Sequence, residues 1–270
     1  MIVLVAGADG RLGRVLVPLL VASGHVVRAL VRTGEHVGAL EAQGATPLVA
    51  DLRGDLEWAV DGCDATIFAA GARRRTDFGA IDGGGAAKLA EAAHRFELRR
   101  FVLCSAIGAG EPERRRGPLR DFLAAKQFAE RRLQQLNVPW TILRFGGLTR
   151  APGTGRITTT VDGRRRPTIS RDDAAAVLVE TLSRPNLAHR LVEAIEGDRR
   201  IADALAAVEP APLPPVRNSG LGAAQATNPP PDPTMLFPDA APLDTDVDYQ
   251  GDGPLAPEVI DNDDPSPRVP

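Results

Sequence analysis

The feature that most constrains the fold is a short apolar segment that runs directly into a glycine-rich turn. Residues 1–6 are all apolar, and the segment from Gly7 to Gly13 then places glycine at every third position. A helical pattern of valine and leucine follows as far as position 20. A short apolar run bounded by glycine predicts a buried parallel strand, and the stretch behind it predicts an amphipathic helix. The chain therefore opens with a strand, a tight turn and a helix.

The three glycines of this turn each meet a steric requirement of a dinucleotide site. Gly7 permits the tight turn, Gly10 lets the backbone approach a ligand, and Gly13 lets the helix pack closely on the strand. The first turn of the helix presents N–H groups and a partial positive charge to a pyrophosphate. The spacing G-x-x-G-x-x-G differs from the commoner G-x-G-x-x-G, and a glycine-rich turn without a ligand is the alternative. The order of strand, turn and helix favours the dinucleotide site.

Further strands and helices are predicted to alternate along the chain. Apolar runs predict strands at 26–31, 46–50, 65–70, 100–104 and 140–145, with helical stretches at 34–44, 57–60, 84–96 and 119–136. Such alternation produces right-handed β-α-β units, so we predict an α/β fold, a Rossmann-type doubly wound parallel sheet. Ligands bind these sheets beyond the carboxyl ends of the strands. The residues predicted at those ends are Asp9, Arg32, Asp51, Gly71, Ser105 and Gly146.

The pattern changes after residue 150. Short strands are predicted at 156–161 and 166–169 around a hairpin-type turn at Asp162-Gly163. A helix capped by Ser170 and a strand at 190–195 are predicted to follow. We expect residues 151–207 to form a smaller, substrate-side portion of an NAD(P)-binding domain that spans residues 1–207. Residues 208–270 are rich in proline and acidic side chains, and we expect them to form a disordered tail.

The charge of the chain is divided unevenly. From Glu209 onward there are 11 acidic residues against Arg217 and Arg268, which is a net charge of −9. Because the whole chain carries −3, the remainder carries +6. An acidic tail of this kind stays solvated, binds a protein partner or contacts the basic body of its own chain.

Two further features bear on the compartment. No apolar run approaches the roughly 20 residues needed to span a membrane, and no basic segment precedes the first apolar run as in a signal peptide. We therefore expect a cytoplasmic protein without a membrane partner. The two cysteines, Cys63 and Cys104, fit that compartment. Neither belongs to a metal-ligand cluster, so no metal is expected. Cys104 lies in an apolar run, and we expect it to be a small core residue.

Several strand-end residues are predicted to contact a nicotinamide cofactor. Arg32 ends the second strand where NAD-selective folds place an acidic residue on the ribose 2′-hydroxyl. Arginine pairs with a 2′-phosphate instead, so NADP is favoured over NAD; the alternative is a solvated arginine. Asp51 and Leu52 are placed to contact the adenine, and the small residues 69–71 let the cofactor run close to the backbone or simply pack the sheet. The predicted cofactor-binding residues are Gly7, Asp9, Gly10, Arg11, Leu12, Gly13, Arg32, Asp51, Leu52, Ala69, Ala70, Gly71, Ser105 and Lys126.

Two of these side chains are also the catalytic candidates. Ser105 ends the fifth strand, where its hydroxyl would hydrogen-bond a substrate carbonyl or the nicotinamide amide, or act as a capping residue. Lys126 lies four residues after Phe122 and therefore shares one helix face with it. On that face Lys126 would hold the nicotinamide ribose, or it would be an exposed helix lysine.

At these residues the chain resembles a known group of proteins. The turn from Gly7 to Gly13, the Asp51-Leu52 pair, Ser105 and the segments 122–130 and 140–149 are similar to those of the atypical short-chain dehydrogenase/reductase group. Its NmrA-like and flavin-reductase-like NAD(P)H-binding members are the most similar, over residues 1–207. The resemblance implies a Rossmann fold, a nicotinamide cofactor and hydride transfer to a small acceptor such as a flavin, a quinone or a carbonyl compound.

One position departs from the pattern of the wider superfamily. Reductases of that superfamily use a tyrosine four residues before the lysine as proton donor, and this chain has Phe122 there. The single tyrosine, Tyr249, lies in the acidic tail. General-acid carbonyl reduction is therefore expected to fail, whereas flavins and quinones can take their proton from water. The alternatives are an NADP(H)-binding redox sensor without turnover, and a sugar-nucleotide or isomerase-type enzyme, whose members usually keep the tyrosine.

Three arginine clusters, at 73–75, 114–116 and 164–166, occupy predicted loops. Near the crevice they would attract an anionic substrate or the cofactor phosphates, and elsewhere they would be solvated. No recognition module or interleaved aromatic residues accompany them, so nucleic acid is not an expected partner. A small-molecule substrate is the expected one.

Overall fold

The computed structural model describes residues 1–159 and 167–211. The predicted turn at Asp162-Gly163, the arginine cluster at 164–166 and the tail from residue 212 onward lie outside these residues. The described elements are β1 Ile2–Ala6, α1 Gly13–Ala22, β2 Val26–Val31, α2 Val37–Ala42, β3 Thr46–Val49, α3 Glu57–Val60, β4 Ala65–Phe68, a π-helical segment Gly79–Gly85, α4 Ala86–Arg95, β5 Arg100–Ala106, α5 Gly117–Gln134, β6 Trp140–Phe145, β7 Gly147–Thr149, β8 Arg156–Thr158, β9 Thr168–Ser170, α6 Arg171–Leu182, β10 Arg190–Glu196, β11 Arg199–Arg200 and α7 Ile201–Ala206.

The central sheet has the predicted doubly wound topology. Its parallel strands follow the order β3-β2-β1-β4-β5-β6-β10, and β8 and β11 extend the β10 edge in antiparallel fashion. The chain leaves β1 towards one edge of the sheet and returns at β4 on the other side of β1. In such sheets the crevice for a ligand opens where the strand order reverses. The Rossmann-type fold predicted from the sequence is confirmed.

Both faces of the sheet are covered by helices, which explains why the strands are unbroken apolar runs. Val3 and Val5 lie in a core with α1 and α6, while Leu4 and Ala6 face the core beneath α4 and α5. The same alternation along β5 places the Cys104 side chain on the face of the sheet that α1 and α6 cover. Ser105 therefore points to the α5 side.

The strands after residue 150 pair differently from the sequence prediction. The predicted hairpin turn lies outside the described residues, and the described strands on either side of it do not pair with each other: β8 pairs with β10 and β11, whereas β9 pairs in parallel with β7 in a separate two-stranded sheet. Each short strand is held by burial of its own central isoleucine, Ile157 or Ile169. The predicted cap is confirmed, since the Ser170 hydroxyl accepts a hydrogen bond from the Asp173 N–H at 2.9 Å.

Helix α6 packs on α1, and β10 belongs to the central sheet. The division of the domain at residue 151 into a substrate-side portion stays a prediction. No helix in residues 1–159 and 167–211 combines the length and the apolarity needed to cross a bilayer.

The helix predicted at 84–96 begins earlier, as a π-helical segment at Gly79 that continues into α4. A Cβ atom at Gly83 would lie 3.3 Å from the Phe128 ring, and one at Gly85 would lie 3.0 Å from Leu52 Cβ. These glycines allow close packing against α5 and against the loop after β3. π-Helical turns often occur at functional sites, and this one places Asp82 in the protein interior.

The position of α1 depends on Gly13. A Cβ there would lie 2.2 Å from the Gly7 carbonyl oxygen, so we expect Gly13→Ala to lower the free energy of unfolding by about 2–3 kcal/mol through overpacking. Helix propensity alone would favour alanine by about 1 kcal/mol, which is the opposite sign. Gly34→Ala is the matched control, because nothing lies within 4 Å of its added Cβ. Urea unfolding measures both variants, and equal free energies would contradict the packing argument.

Candidate functional site

A cavity of about 540 Å³ opens at the carboxyl ends of β1, β2, β3 and β4. It lies at the point where the strand order reverses, as expected for a nucleotide-binding crevice. Its lining residues are Gly7, Asp9, Gly10, Arg11, Arg14, Leu30, Val31, Arg32, Thr33, Glu35, Ala50, Asp51, Leu52, Ala69, Ala70, Gly71, Ala72, Arg73, Asp77 and Ile81.

The glycine turn forms the floor of this cavity. Gly7 has a φ of +81°, and a Cβ on it would lie 2.5 Å from the Ala70 Cα atom, so both its conformation and its surroundings require glycine. The Gly7 N–H donates to the Leu30 carbonyl at 3.1 Å, which ties the turn to β2. Leu12 is buried, and Gly13 packs beneath the turn. These two residues do not line the cavity; they lie beneath its wall and fix the packing of the start of α1.

A basic corner lies at the end of β2. Arg32 lines the cavity beside Arg14, a residue that the sequence analysis did not single out. The Arg14 guanidinium donates to the Asp9 carbonyl at 2.9 Å and contacts His36 Nε2 at 2.8 Å. The sequence signal that could have identified Arg14 was its position as a basic residue in the first turn of the helix that follows the glycine turn. Glu35 also lines this corner and offers a carboxylate.

The opposite wall is built by the loops after β3 and β4. One carboxylate oxygen of Asp51 accepts the Arg53 N–H at 2.9 Å, which forms a tight turn. The Arg53 guanidinium reaches Asp77 at 2.9 Å and so connects the two loops. Leu52 and the small residues from Ala69 to Gly71 line the space between them.

A buried hydrogen-bonded cluster lies at the carboxyl ends of β5, β6 and β10. Ser105, Arg144 and Glu193 are neighbours in the strand register and therefore share one face of the sheet. The Ser105 hydroxyl donates to Glu130 Oε1 at 2.6 Å, and the Arg144 guanidinium binds both Glu130 oxygens at 2.9 and 2.6 Å. The hydrogen bonds with Glu130 raise the pKa of Arg144 and outweigh the opposing effect of burial. Glu130 and Arg144 were not predicted as site residues. Glu130 is one of several charged residues on its helix, and Arg144 is the single charge in an apolar strand, so these patterns indicate only a helix and a strand.

Lys126 is enclosed in a second buried cluster. Its side chain is 2% exposed, and its Nζ lies 3.0 Å from Asp82 Oδ1 and donates to the Cys104 carbonyl at 3.2 Å. The Phe122 and Phe68 rings lie 5.6 and 5.9 Å from the same nitrogen. Burial raises the pKa of the neighbouring Cys104 thiol to about 11, against the lowering effect of the Lys126 charge, so this thiol stays protonated at neutral pH. The exposed helix lysine considered as an alternative is excluded.

The structure thus separates the predicted site residues into three groups. Gly7, Asp9, Gly10, Arg11, Arg32, Asp51, Leu52, Ala69, Ala70 and Gly71 line the cavity. Leu12 and Gly13 support it from behind, and Ser105 and Lys126 lie in the two buried clusters, outside the lining of the cavity. Contact of the last two with a nicotinamide stays a prediction.

Of the two arginine clusters within the described residues, the one at 73–75 reaches the cavity. Arg73 lines the cavity, whereas Arg75 binds Asp121 at the start of α5 at 2.9 and 2.6 Å. Arg114 forms an exposed ion pair with Glu111. Only part of this positive charge is therefore offered to a ligand. Within residues 1–159 and 167–211, no three potential metal-ligating side chains converge.

Comparison with known proteins gives matches over the whole described domain. A family model described as NAD(P)H-binding matches residues 7–185. The chain is 38% identical over 210 residues to the uncharacterized sugar epimerase YhfK of Bacillus subtilis, covering 75% of this chain and 98% of that protein. A solved candidate NAD-dependent epimerase/dehydratase from Bacillus halodurans is 31% identical with a TM-score of 0.73, covering 76% and 99% of the two chains. The oxidoreductase ylbE of Lactococcus lactis is 26% identical with a TM-score of 0.68, covering 76% and 95%.

The Glu130–Arg144 pair generates a prediction about stability. Arg144→Met leaves the Glu130 carboxylate buried without its ionic partner, so we expect the free energy of unfolding to fall by about 3–5 kcal/mol. Arg95→Met is the control, because its pair with Glu57 is exposed and should contribute less than about 1 kcal/mol. Urea unfolding at neutral pH measures both variants. Similar losses of unfolding free energy in the two variants would show that the buried pair contributes no more to stability than the exposed pair.

Proposed function

The chain belongs to the NAD(P)H-binding protein family, and on this basis we propose that it is an NADP-preferring oxidoreductase. It would transfer hydride between the nicotinamide and a small acceptor such as a flavin, a quinone or a carbonyl compound. The observation that carries the proposal is the basic corner of Arg14 and Arg32 beside the glycine turn.

The residues of the cavity fit a dinucleotide. A Cβ on Gly10 would lie 3.1 Å from the Gly7 carbonyl oxygen, a close contact that glycine avoids, and glycine also leaves the backbone of the turn open to a phosphate. The start of α1 would bind the pyrophosphate, and Asp51 and Leu52 would contact the adenine. Arg32, with Arg14 beside it, would bind a 2′-phosphate. The small side chains from Ala69 to Gly71 would let the cofactor lie against the backbone.

The chemistry proposed for the site follows from the side chains near β5. A bound nicotinamide would supply the hydride, and the protein would orient it. Ser105 is the hydroxyl that we assign to orienting the nicotinamide or the substrate. Phe122 packs edge-on against Phe78 with ring centroids 5.5 Å apart and forms an apolar wall that cannot donate a proton. Acceptors that take their proton from water therefore fit best. The solved relative from Lactococcus lactis is described as an oxidoreductase, which supports an oxidoreductase function for this chain.

The buried clusters favour a second candidate, a cofactor-binding redox sensor. Ser105 and Lys126 are both paired with carboxylates inside the protein, and Phe122 replaces the proton donor. A protein of this kind would bind NADPH and signal its presence without turnover. The epimerase names of two relatives support the isomerase-type alternative, for which the absence of tyrosine at position 122 is the opposing observation.

Binding and turnover can be separated in one titration. We expect NADPH to quench protein fluorescence with a lower Kd than NADH, and we expect addition of FMN or a water-soluble quinone to oxidise the bound NADPH. Tight binding without oxidation across flavins, quinones and carbonyl compounds would support the sensor. Failure to bind either nucleotide would contradict both proposals.

Arg32 provides the test of cofactor preference. Arg32→Ala should raise the Kd for NADPH at least tenfold and that for NADH less than threefold, because only NADPH carries the 2′-phosphate. Arg99→Ala is the matched control: Arg99 is an exposed arginine just before β5, beside the opposite end of the sheet. An equal change in the Kd values for NADPH and NADH in Arg32→Ala would show that this arginine does not bind the 2′-phosphate.

A further inference from the structure

The buried ion pair of Lys126 and Asp82 is fully enclosed. Asp82 is completely buried, and Lys126 is 1% exposed as a whole residue. The Lys126 ammonium already faces Asp82, the Cys104 carbonyl and two phenylalanine rings. Because this ammonium is buried and lies outside the lining of the cavity, we look for its function in what the pair holds in place.

The second carboxylate oxygen of Asp82 reaches the wall of the cavity. Asp82 Oδ2 accepts a hydrogen bond from the Ala72 N–H at 2.9 Å. The backbone ladder of β4 ends just before this point, since the Ala69 N–H is still bonded to the Ala6 carbonyl at 3.0 Å. Ala72 lies in the loop of residues 69–73, which lines the cavity. Asp82 therefore anchors this loop where the sheet no longer does.

The π-helical segment explains why Asp82 can serve both partners. This segment packs closely on α5, the helix that carries Lys126, and the small Gly83 permits the approach. Burial of a charge is costly unless the charge is paired and hydrogen-bonded. Lys126 supplies the compensating charge, and the Ala72 N–H uses the remaining carboxylate oxygen.

We propose that Asp82 and Lys126 are a positioning pair, in which Lys126 neutralises Asp82 and Asp82 fixes the loop of residues 69–73 against which the cofactor lies. Neither side chain touches the cofactor. This assigns to Lys126 a role different from that of a ribose ligand. The inference rests on the proposed cofactor site, but the anchoring of the loop can be measured without any cofactor.

Two charge-neutral double variants of the full chain test the proposal. Asp82→Asn with Lys126→Met keeps an oxygen that can accept the Ala72 N–H, whereas Asp82→Leu with Lys126→Met removes it. Neither leaves an uncompensated buried charge. Arg132→Met is the control, because Arg132 lies on the same helix and pairs with Glu91 of α4 at 2.7 Å. The readouts are the Kd for NADPH and, in the cofactor-free protein, hydrogen exchange of the Ala72 amide.

We expect the asparagine double variant and Arg132→Met to stay within threefold of the wild-type Kd. The leucine double variant should bind at least tenfold more weakly, and its Ala72 amide should exchange at least tenfold faster. Equal weakening of both double variants with unchanged exchange would overturn the proposal in favour of direct contact by Lys126. Unchanged NADPH binding and unchanged exchange of the Ala72 amide in both double variants would also overturn the proposal, because the pair would then serve only in packing.

The wild-type protein alone can also overturn the proposal. Exchange of the Ala72 amide at the rate of an unprotected loop would contradict the anchor, even if neither double variant folds. Absence of NADPH binding by the wild type would instead contradict the proposed function. In that case, protection of Ala72 that is lost in the leucine variant would still support the anchoring of the loop.

Discussion

The contact between Gly13 and the Gly7 carbonyl sets the distance between α1 and the end of β1. This contact fixes where the first turn of α1 faces the cavity. It also leaves α1 close enough to the sheet for α6 to pack against it, and it places Arg14 where its guanidinium contacts His36 in the segment after β2. A local steric requirement at two glycines thus determines the relation between the backbone of the glycine turn and the basic corner of the cavity.

The α5 side of the sheet follows a different principle, since its interior contains charges. Glu130 pairs with Arg144 and Asp82 pairs with Lys126, on the side of β5 that faces α5. The Glu130 carboxylate accepts hydrogen bonds from Ser105 and Arg144, whereas Asp82 accepts one from the Ala72 N–H and forms its ion pair with Lys126. Such pairs contribute little net stability when compared with apolar packing, and their benefit is a defined arrangement of the groups they connect. The same Rossmann scaffold can carry many reactions, so the chemistry of this protein depends on the side chains placed on the fold more than on the fold itself.

The fold could be predicted from the sequence to the extent that its signals are local. The apolar runs of β1, β2 and β6, and the cap at Ser170, depend on residues adjacent in the chain. The pairing of β7 with β9 could not be predicted, because three-residue strands carry no periodicity and their partners lie far along the chain. Asp82 was hidden for a related reason. Glycine-rich sequence disfavours a regular helix, and nothing local indicates that a π-helical turn would place this carboxylate under the loop after β4.

The packing of Phe122 limits which side chain this position can hold. Phenylalanine and tyrosine differ by one oxygen atom. The ring is only 4% exposed and lies against Phe78 in an apolar cluster with Leu123 and Ala109. A phenol at this position would bring a hydroxyl into that cluster at a cost of about 1–3 kcal/mol unless it found a hydrogen-bond partner. A tyrosine at position 122 would therefore be tolerated without loss of stability only if its hydroxyl found such a partner within this cluster.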